Sequence, residues 1–321
     1  MKLLFKISMA VVTATLLVGC WDRTRPGNDE VPTPQNSIYH WKTVFDIDSA
    51  EMSFLRKHEI GRIYLRMFDV ALEYDFLNKT PDIVPIATTR FASPIPDGIE
   101  IVPVTYITLD ALRAMEGRES EMASVITERL LAMSRHNRCG CIKEIQFDCD
   151  WTAGTKKTYI NLCKTAKDSL NSMGIELSLT VRAHQLKETP PPADRGVLML
   201  YNTGALKNPK TSNSILNYCD IEPYFHPWKY PIPLDYAYPA FGWGVKFADN
   251  MFVSIVPYEC DSVSNNEHIR YERPSADEVL SVKELAEKNL GKPSRGNILY
   301  HLDYSQIKYY TDDEISEILS F

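Results

Sequence analysis

Residues 143–183 read Lys-Glu-Ile-Gln-Phe-Asp-Cys-Asp-Trp-Thr-Ala-Gly-Thr-Lys-Lys-Thr-Tyr-Ile-Asn-Leu-Cys-Lys-Thr-Ala-Lys-Asp-Ser-Leu-Asn-Ser-Met-Gly-Ile-Glu-Leu-Ser-Leu-Thr-Val-Arg-Ala. Lys143 to Trp151 alternates apolar and polar side chains, the period of a strand. Thr155 to Met173 carries a helical pattern and meets Gly174 in a helix-stop position. Glu176 to Ala183 alternates again. Strand, helix, strand within about forty residues is a βαβ unit, which places the two strands parallel in one sheet.

The same unit recurs on both sides. Upstream, strands are predicted at Ser37–Thr43, Gly61–Val70 and Glu100–Ile107, with helical stretches over Ser49–His58 and within Leu109–His136. Downstream, strands are predicted at Gly196–Tyr201, Asp235–Phe241 and Asn297–Asp303. Helices follow at Ser275–Leu290, with Ser275 as N-cap and Glu278 three residues on, and at Thr311–Leu319. Eight strands mostly separated by helices predict a single (β/α)8 barrel over residues 37–321. An open doubly wound sheet is disfavoured, because no Gly-rich phosphate loop follows the first strand. Two irregularities are expected. Residues 78–98 hold four prolines and no helical period, so a loop replaces the second helix. Gly244–Val256 reads as a hairpin inserted after strand seven.

Residues 1–36 are expected to lie outside that barrel. Lys2 and Lys6 precede an apolar run, Ile7–Val18, then Gly19-Cys20. The run is too short for a bilayer span but has the length of a signal-peptide core. It resembles a bacterial lipoprotein signal, 1–19, with Cys20 as the lipidated residue. Residues 20–36 read as a flexible tether. The expected location is the cell envelope, lipid-anchored, on the outer membrane of a Gram-negative bacterium. Six further cysteines allow disulfides or buried thiols, and their spacing is not that of a zinc site.

The 321-residue chain carries 35 basic and 42 acidic residues, a net charge of −7. That sign repels a phosphate backbone and argues against nucleic acid as a partner. No metal-binding motif, P-loop or serine-hydrolase elbow is present, so no metal or cofactor is expected.

Barrel chemistry sits at the carboxyl ends of the strands. Side-chain alternation puts Gln146, Asp148 and Asp150 on one face of strand four, and Arg182 with His184 at the end of strand five. Two carboxylates two residues apart repel, which shifts at least one pKa and suits acid/base work on a glycosidic bond. Asp148 and Asp150 are therefore the candidate catalytic pair, with Asp303 at the end of strand eight as a third. Gln146, Arg182, His184, Asn202 and His301 are candidate sugar-binding groups. Trp228 and Trp243 are the candidate stacking platforms among the aromatics after strands six and seven. Arg66, inside strand two, needs an acidic partner.

The segments Tyr39-His40-Trp41-Lys42, Arg62-Ile63-Tyr64-Leu65-Arg66-Met67-Phe68-Asp69-Val70, Val102–Ile107, Ile145–Trp151 and Tyr238–Trp243 resemble uncharacterised exported lipoproteins of Bacteroides-type bacteria. Those are regarded as distant relatives of glycoside-hydrolase barrels, which implies the same fold and a carbohydrate partner. Strand four is also similar to the chitinase-type D-x-x-D-x-D-x-E signature. Asp148 and Asp150 match its two later Asp positions. Ile145 stands in place of the first Asp, and Thr152 in place of the catalytic Glu. An enzyme of this kind would take its proton donor from elsewhere, with Asp303 and Glu222 as candidates. The reading thus carries an enzyme alternative, a glycoside hydrolase, beside a non-catalytic glycan binder and an envelope scaffold.

Overall fold

The computed structural model describes residues 34–75, 80–226, 229–260 and 266–321. Eight parallel strands close into a barrel: β1 (Asn36–His40), β2 (Ile60–Asp75), β3 (Glu100–Ile107), β4 (Glu144–Asp148), β5 (Glu176–Arg182), β6 (Arg195–Met199), β7 (Leu234–Pro239) and β8 (Asn297–Tyr300). Each pairs with its sequence neighbour, and β1 closes the ring by pairing with both β2 and β8. Around it lie α1 (Ser49–Lys57), α2 (Leu109–Ala114), α3 (Glu119–His136), α4 (Lys156–Ser172), α5 (Ala276–Leu290) and α6 (Asp312–Leu319). The lipoprotein signal, Cys20 and the tether up to residue 33 lie outside the described residues. Asn36, the last residue of the expected tether, opens β1.

The alternation in β4 shows how the sequence separates two cores. Ile145, Phe147 and Cys149 face outward and pack against the helices with Tyr159, Leu162, Cys163 and Ala166 of α4. The inward positions of the other strands form a second cluster, including Tyr39, Tyr64, Val102, Val104, Val197, Met199 and Ile298. Each such apolar side chain contributes roughly 1.5–3 kcal/mol on burial. Capping boxes begin three helices: Asp48 with Glu51 for α1, Ser275 with Glu278 for α5, and Thr311 with Glu314 for α6.

The amino ends of the strands carry charge instead. Arg62 Nε bonds Glu100 at 3.0 Å, and Arg195 Nη1 bonds Asp235 at 3.0 Å. Arg295 reaches Glu144 at 3.1 Å and Glu176 at 2.8 Å. These groups form a largely buried ionic floor. The chain enters the barrel here, where Gln35 N–H donates to the Arg295 carbonyl at 2.8 Å.

Both expected irregularities are present, but a strand rather than a loop takes the place of the second helix. β2 runs on for 16 residues and pairs antiparallel with Thr80–Ile86 in place of a second helix. The long helix of the third unit is two helices, α2 and α3, broken at Gly117 (φ +79°). After β7, Trp243–Ala248 and Met251–Val256 form the hairpin, turning at Asp249 (φ +48°) and Asn250 (φ +63°). Left-handed conformations at both turn residues suit short polar side chains. A third strand, Glu267–Glu272, pairs on the other side of Trp243–Ala248 and makes a three-stranded insertion. The six cysteines are free thiols, with Cys139, Cys149 and Cys163 buried. Among the described residues no helix is long and apolar enough to cross a membrane.

Candidate functional site

At the carboxyl end of the barrel Trp41, Tyr106, Tyr201 and Tyr300 surround Asp148, Asp150, Arg182 and Asn202, enclosing about 210 Å³. An adjoining compartment of about 330 Å³ shares Asp150, Arg182, Tyr201 and Asn202, and adds His184, Asp220 and Tyr224 among others. The shared residues make the two compartments one cleft. Larger cavities lie elsewhere, such as the one of about 550 Å³ between α1 and residues 93–99, lined mainly by apolar and proline side chains.

Strand alternation builds the chemistry. Asp148 is the last residue of β4, and its carboxylate accepts a hydrogen bond from Thr180 Oγ1 at 2.6 Å. Burial pushes its pKa up to about 6; the neighbouring Asp150 adds to the rise, while Arg182 and Thr180 oppose it. Asp150 is more exposed and accepts from Arg182 Nε at 2.5 Å and Nη2 at 3.4 Å. The Arg182 guanidinium also lies 5.8 Å from the Tyr201 ring centre. Its Nη1 is buried without an acceptor among the described residues.

A second ion pair sits nearby. Arg66 Nε bonds Asp69 Oδ1 at 2.7 Å, with Nη2 on the other carboxylate oxygen. This is the acidic partner that Arg66 required. The Arg66 guanidinium also lies 5.7 Å from the Trp41 ring centre. Tyr300 stacks on Tyr201 (centroids 4.5 Å) and lies 5.8 Å from Trp41, so the aromatic walls support one another.

The candidates from sequence separate into two groups. Asp148, Asp150, Arg182 and Asn202 line the inner compartment, and His184 lines the outer one from the turn after β5. Asn202 reaches its place through a left-handed backbone (φ +56°). The others are held away from the cleft. Gln146 is sealed inside the barrel, accepting from Tyr39 at 2.6 Å and donating to Ser178 at 3.3 Å. Asp303 caps the short helix Tyr304–Ile307, accepting from Ser305 N–H at 3.1 Å and Ser305 Oγ at 2.7 Å. The His301 ring packs beside Tyr300, and burial pushes its pKa down to about 4. Trp243 opens the insertion, donating from Nε1 to the buried Glu272 at 2.8 Å, and it packs on Phe241. Glu222 lies in a 3-10 turn outside both compartments. Trp228 lies outside the described residues.

Trp41, Tyr106, Tyr201 and Tyr300 were not singled out from sequence, yet a signal was present. Each follows an inward residue by two positions: Tyr39, Val104, Met199 and Ile298.

Thr152, in the position of the signature's glutamate, is committed to a turn. Its N–H donates to Thr155 Oγ1 at 2.9 Å, and Thr155 Oγ1 returns to its carbonyl at 3.3 Å. Among the described residues no group of three or more His, Cys, Asp or Glu could hold a metal ion.

No protein-family model and no curated protein matches this sequence. Solved structures do. A chitinase from Chromobacterium violaceum superposes with a TM-score of 0.54 at 12% identity, covering 86% of this chain and 98% of that one. A chitinase from Bacteroides thetaiotaomicron gives 0.54 at 11% identity, covering 90% and 97%. The spore cortex-lytic enzyme SleL of Bacillus megaterium gives 0.53 at 11% identity, covering 92% and 76%. At these identities the likeness is one of fold.

Proposed function

We propose that the barrel mouth binds carbohydrate and holds it without cleaving it. The observation that carries this reading is the cleft itself, an aromatic-walled cavity with Arg182, Asn202 and two carboxylates at its base. Aromatic faces bury large areas of a sugar ring at low entropic cost, while the polar groups fix its hydroxyls. The chitinases and the cortex-lytic enzyme that share the fold support a saccharide as the ligand class.

Non-cleavage follows from where the carboxyl groups are spent. Hydrolysis requires a carboxylic acid beside the leaving oxygen, with a second carboxyl or a group of the substrate itself acting on the opposite face. Asp150 is ion-paired with Arg182, Asp148 accepts a hydrogen bond from Thr180, and Thr152, in the position of the signature's glutamate, is tied into a turn. One observation favours hydrolysis as a second reading: with a pKa near 6, Asp148 is protonated in mildly acidic solution and could act as the acid.

A glycan panel read for both retention and product release tests the two. The expected result is binding without release, weakened at least tenfold in Trp41→Ala. Release by the native protein that disappears in Asp148→Asn establishes the enzyme instead. No retention of any glycan removes the saccharide reading altogether.

We also propose that Cys20 is lipidated, attaching the barrel to a membrane of the cell envelope by acyl chains. The sequence at Gly19-Cys20 supports this. Metabolic labelling with a palmitate analogue should mark the native protein and leave Cys20→Ser unlabelled; equal labelling of both would refute it.

A further inference from the structure

On the barrel flank, residues 88–91 and the end of α3 enclose about 560 Å³. Arg90, Arg129 and His136 line this cavity together with Thr88 and Asn137, and no carboxylate does. A wall of cationic and neutral donors on a chain of net charge −7 is a local reversal of sign. Such a recess concentrates positive potential and attracts anions.

Arg129 is the fixed element. Its guanidinium rests over the Phe68 ring, 5.1 Å from the ring centre. Its one hydrogen bond among the described residues is marginal, from Nη2 to Thr88 Oγ1 at 3.5 Å. Its Nε is buried with no acceptor. A guanidinium has five N–H donors in a planar fork, and leaving a buried one unmet is costly. The Arg90 side chain and the His136 ring make no ion pair or side-chain hydrogen bond among the described residues. The nearby end of α3 does not supply the missing acceptor. The Met133 carbonyl is already taken by the Asn137 amide at 2.8 Å and by the Asn137 N–H at 3.0 Å.

We propose that this cavity is a binding site for a tetrahedral oxyanion, a phosphate ester in the simplest case. Arg129 and Arg90 would grip the oxygens, and Phe91 would lie against the organic remainder. The planar donor fork of a guanidinium suits phosphate oxygens. A soluble phosphate ester and a phospholipid headgroup offer the same chemistry, and the experiment separates them.

Calorimetric titration of the intact protein at low salt uses inorganic phosphate and phenyl phosphate as probes. Phenyl phosphate is expected to bind more tightly than inorganic phosphate, with affinity falling as salt rises. Arg129→Gln should weaken it at least tenfold, and Arg129→Lys should recover part of the loss. Arg90→Gln changes an exposed side chain and gives the same test should the Arg129 variants fold poorly. Sedimentation of the Cys20→Ser protein, which lacks the proposed acyl anchor, with phosphatidylglycerol vesicles, against phosphatidylcholine vesicles, identifies the source. Retention lost in the same variants assigns a headgroup, and binding of phenyl phosphate alone assigns a soluble ester. Absence of binding to both probes and both vesicles, or binding indifferent to both arginines, overturns the proposal. None of these residues lines the mouth, so the outcome is independent of glycan binding.

Discussion

Asp148→Asn should make the protein more stable at neutral pH. In the folded state Asp148 has a pKa of about 6 against the ordinary 3.8, because burial penalises its charge more than Arg182 and Thr180 relieve it. The folded protein therefore holds this proton more tightly than the unfolded chain does. Stability from this group is complete below pH 3.8 and is lost as pH rises towards 6, staying lost above it. The gap of about two decades, at ~1.4 kcal/mol per decade, amounts to about 3 kcal/mol. Asparagine does not ionise, and its side-chain oxygen can still accept from Thr180. Urea unfolding of both proteins from pH 4 to pH 8 isolates this contribution, because every other titrating group is common to the pair. The variant should gain about 3 kcal/mol relative to the native chain between pH 4 and pH 7, with a plateau above. A difference that stays flat with pH, or that moves against the variant at neutral pH, refutes the assignment of Asp148 as a strained, buried carboxyl.

Three further outcomes follow from the same structure. His40 is buried with neither ring nitrogen bonded, and burial, with Lys42 and His301 adding to it, depresses its pKa to about 3. Below pH 6.5 the unfolded chain takes up a proton that the folded one refuses, so stability falls with acid, by about 3 kcal/mol at pH 4. His40→Leu should lack that part of the loss when unfolding is compared at pH 7 and pH 4. Arg195→Met in the ionic floor leaves the buried Asp235 without its ion-pair partner, and denaturant titration should register a loss of about 3–5 kcal/mol. In the native state Cys141 and Cys219 should react rapidly with a thiol reagent, whereas Cys139, Cys149 and Cys163 should react only on unfolding, as followed by absorbance.

The barrel was legible wherever a strand had one clear period. In β4, Ile145, Phe147 and Cys149 against Gln146 and Asp148 fixed which face met the helices, and the structure follows that division. Legibility failed where alternation was carried past the last paired residue. β8 ends at Tyr300, and the backbone then turns, so Asp303 becomes a helix cap. The third strand of the insertion, Glu-His-Ile-Arg-Tyr-Glu, was missed because its residues are mostly polar and its partner strand is separated by the whole second arm. In the cleft, Asp150 and Arg182 could be anticipated because opposite charges ended neighbouring parallel strands. In the aromatic wall the alternation gave the inward direction but not the role, since Tyr201 and Tyr300 pack on each other as core residues do while also lining the cavity.

The route by which the chain enters the barrel has a directional consequence. Gln35 is bonded to Arg295 at the charged floor, and all eight strands run from that floor towards the cleft. The first described residues therefore lie at the pole of the barrel opposite the cleft. The attachment proposed at Cys20 would act on that pole through residues 20–33. Reach towards large or immobile ligands would then depend on residues 20–33, and shortening them should impair capture of a surface-bound polymer more than of a small sugar in solution.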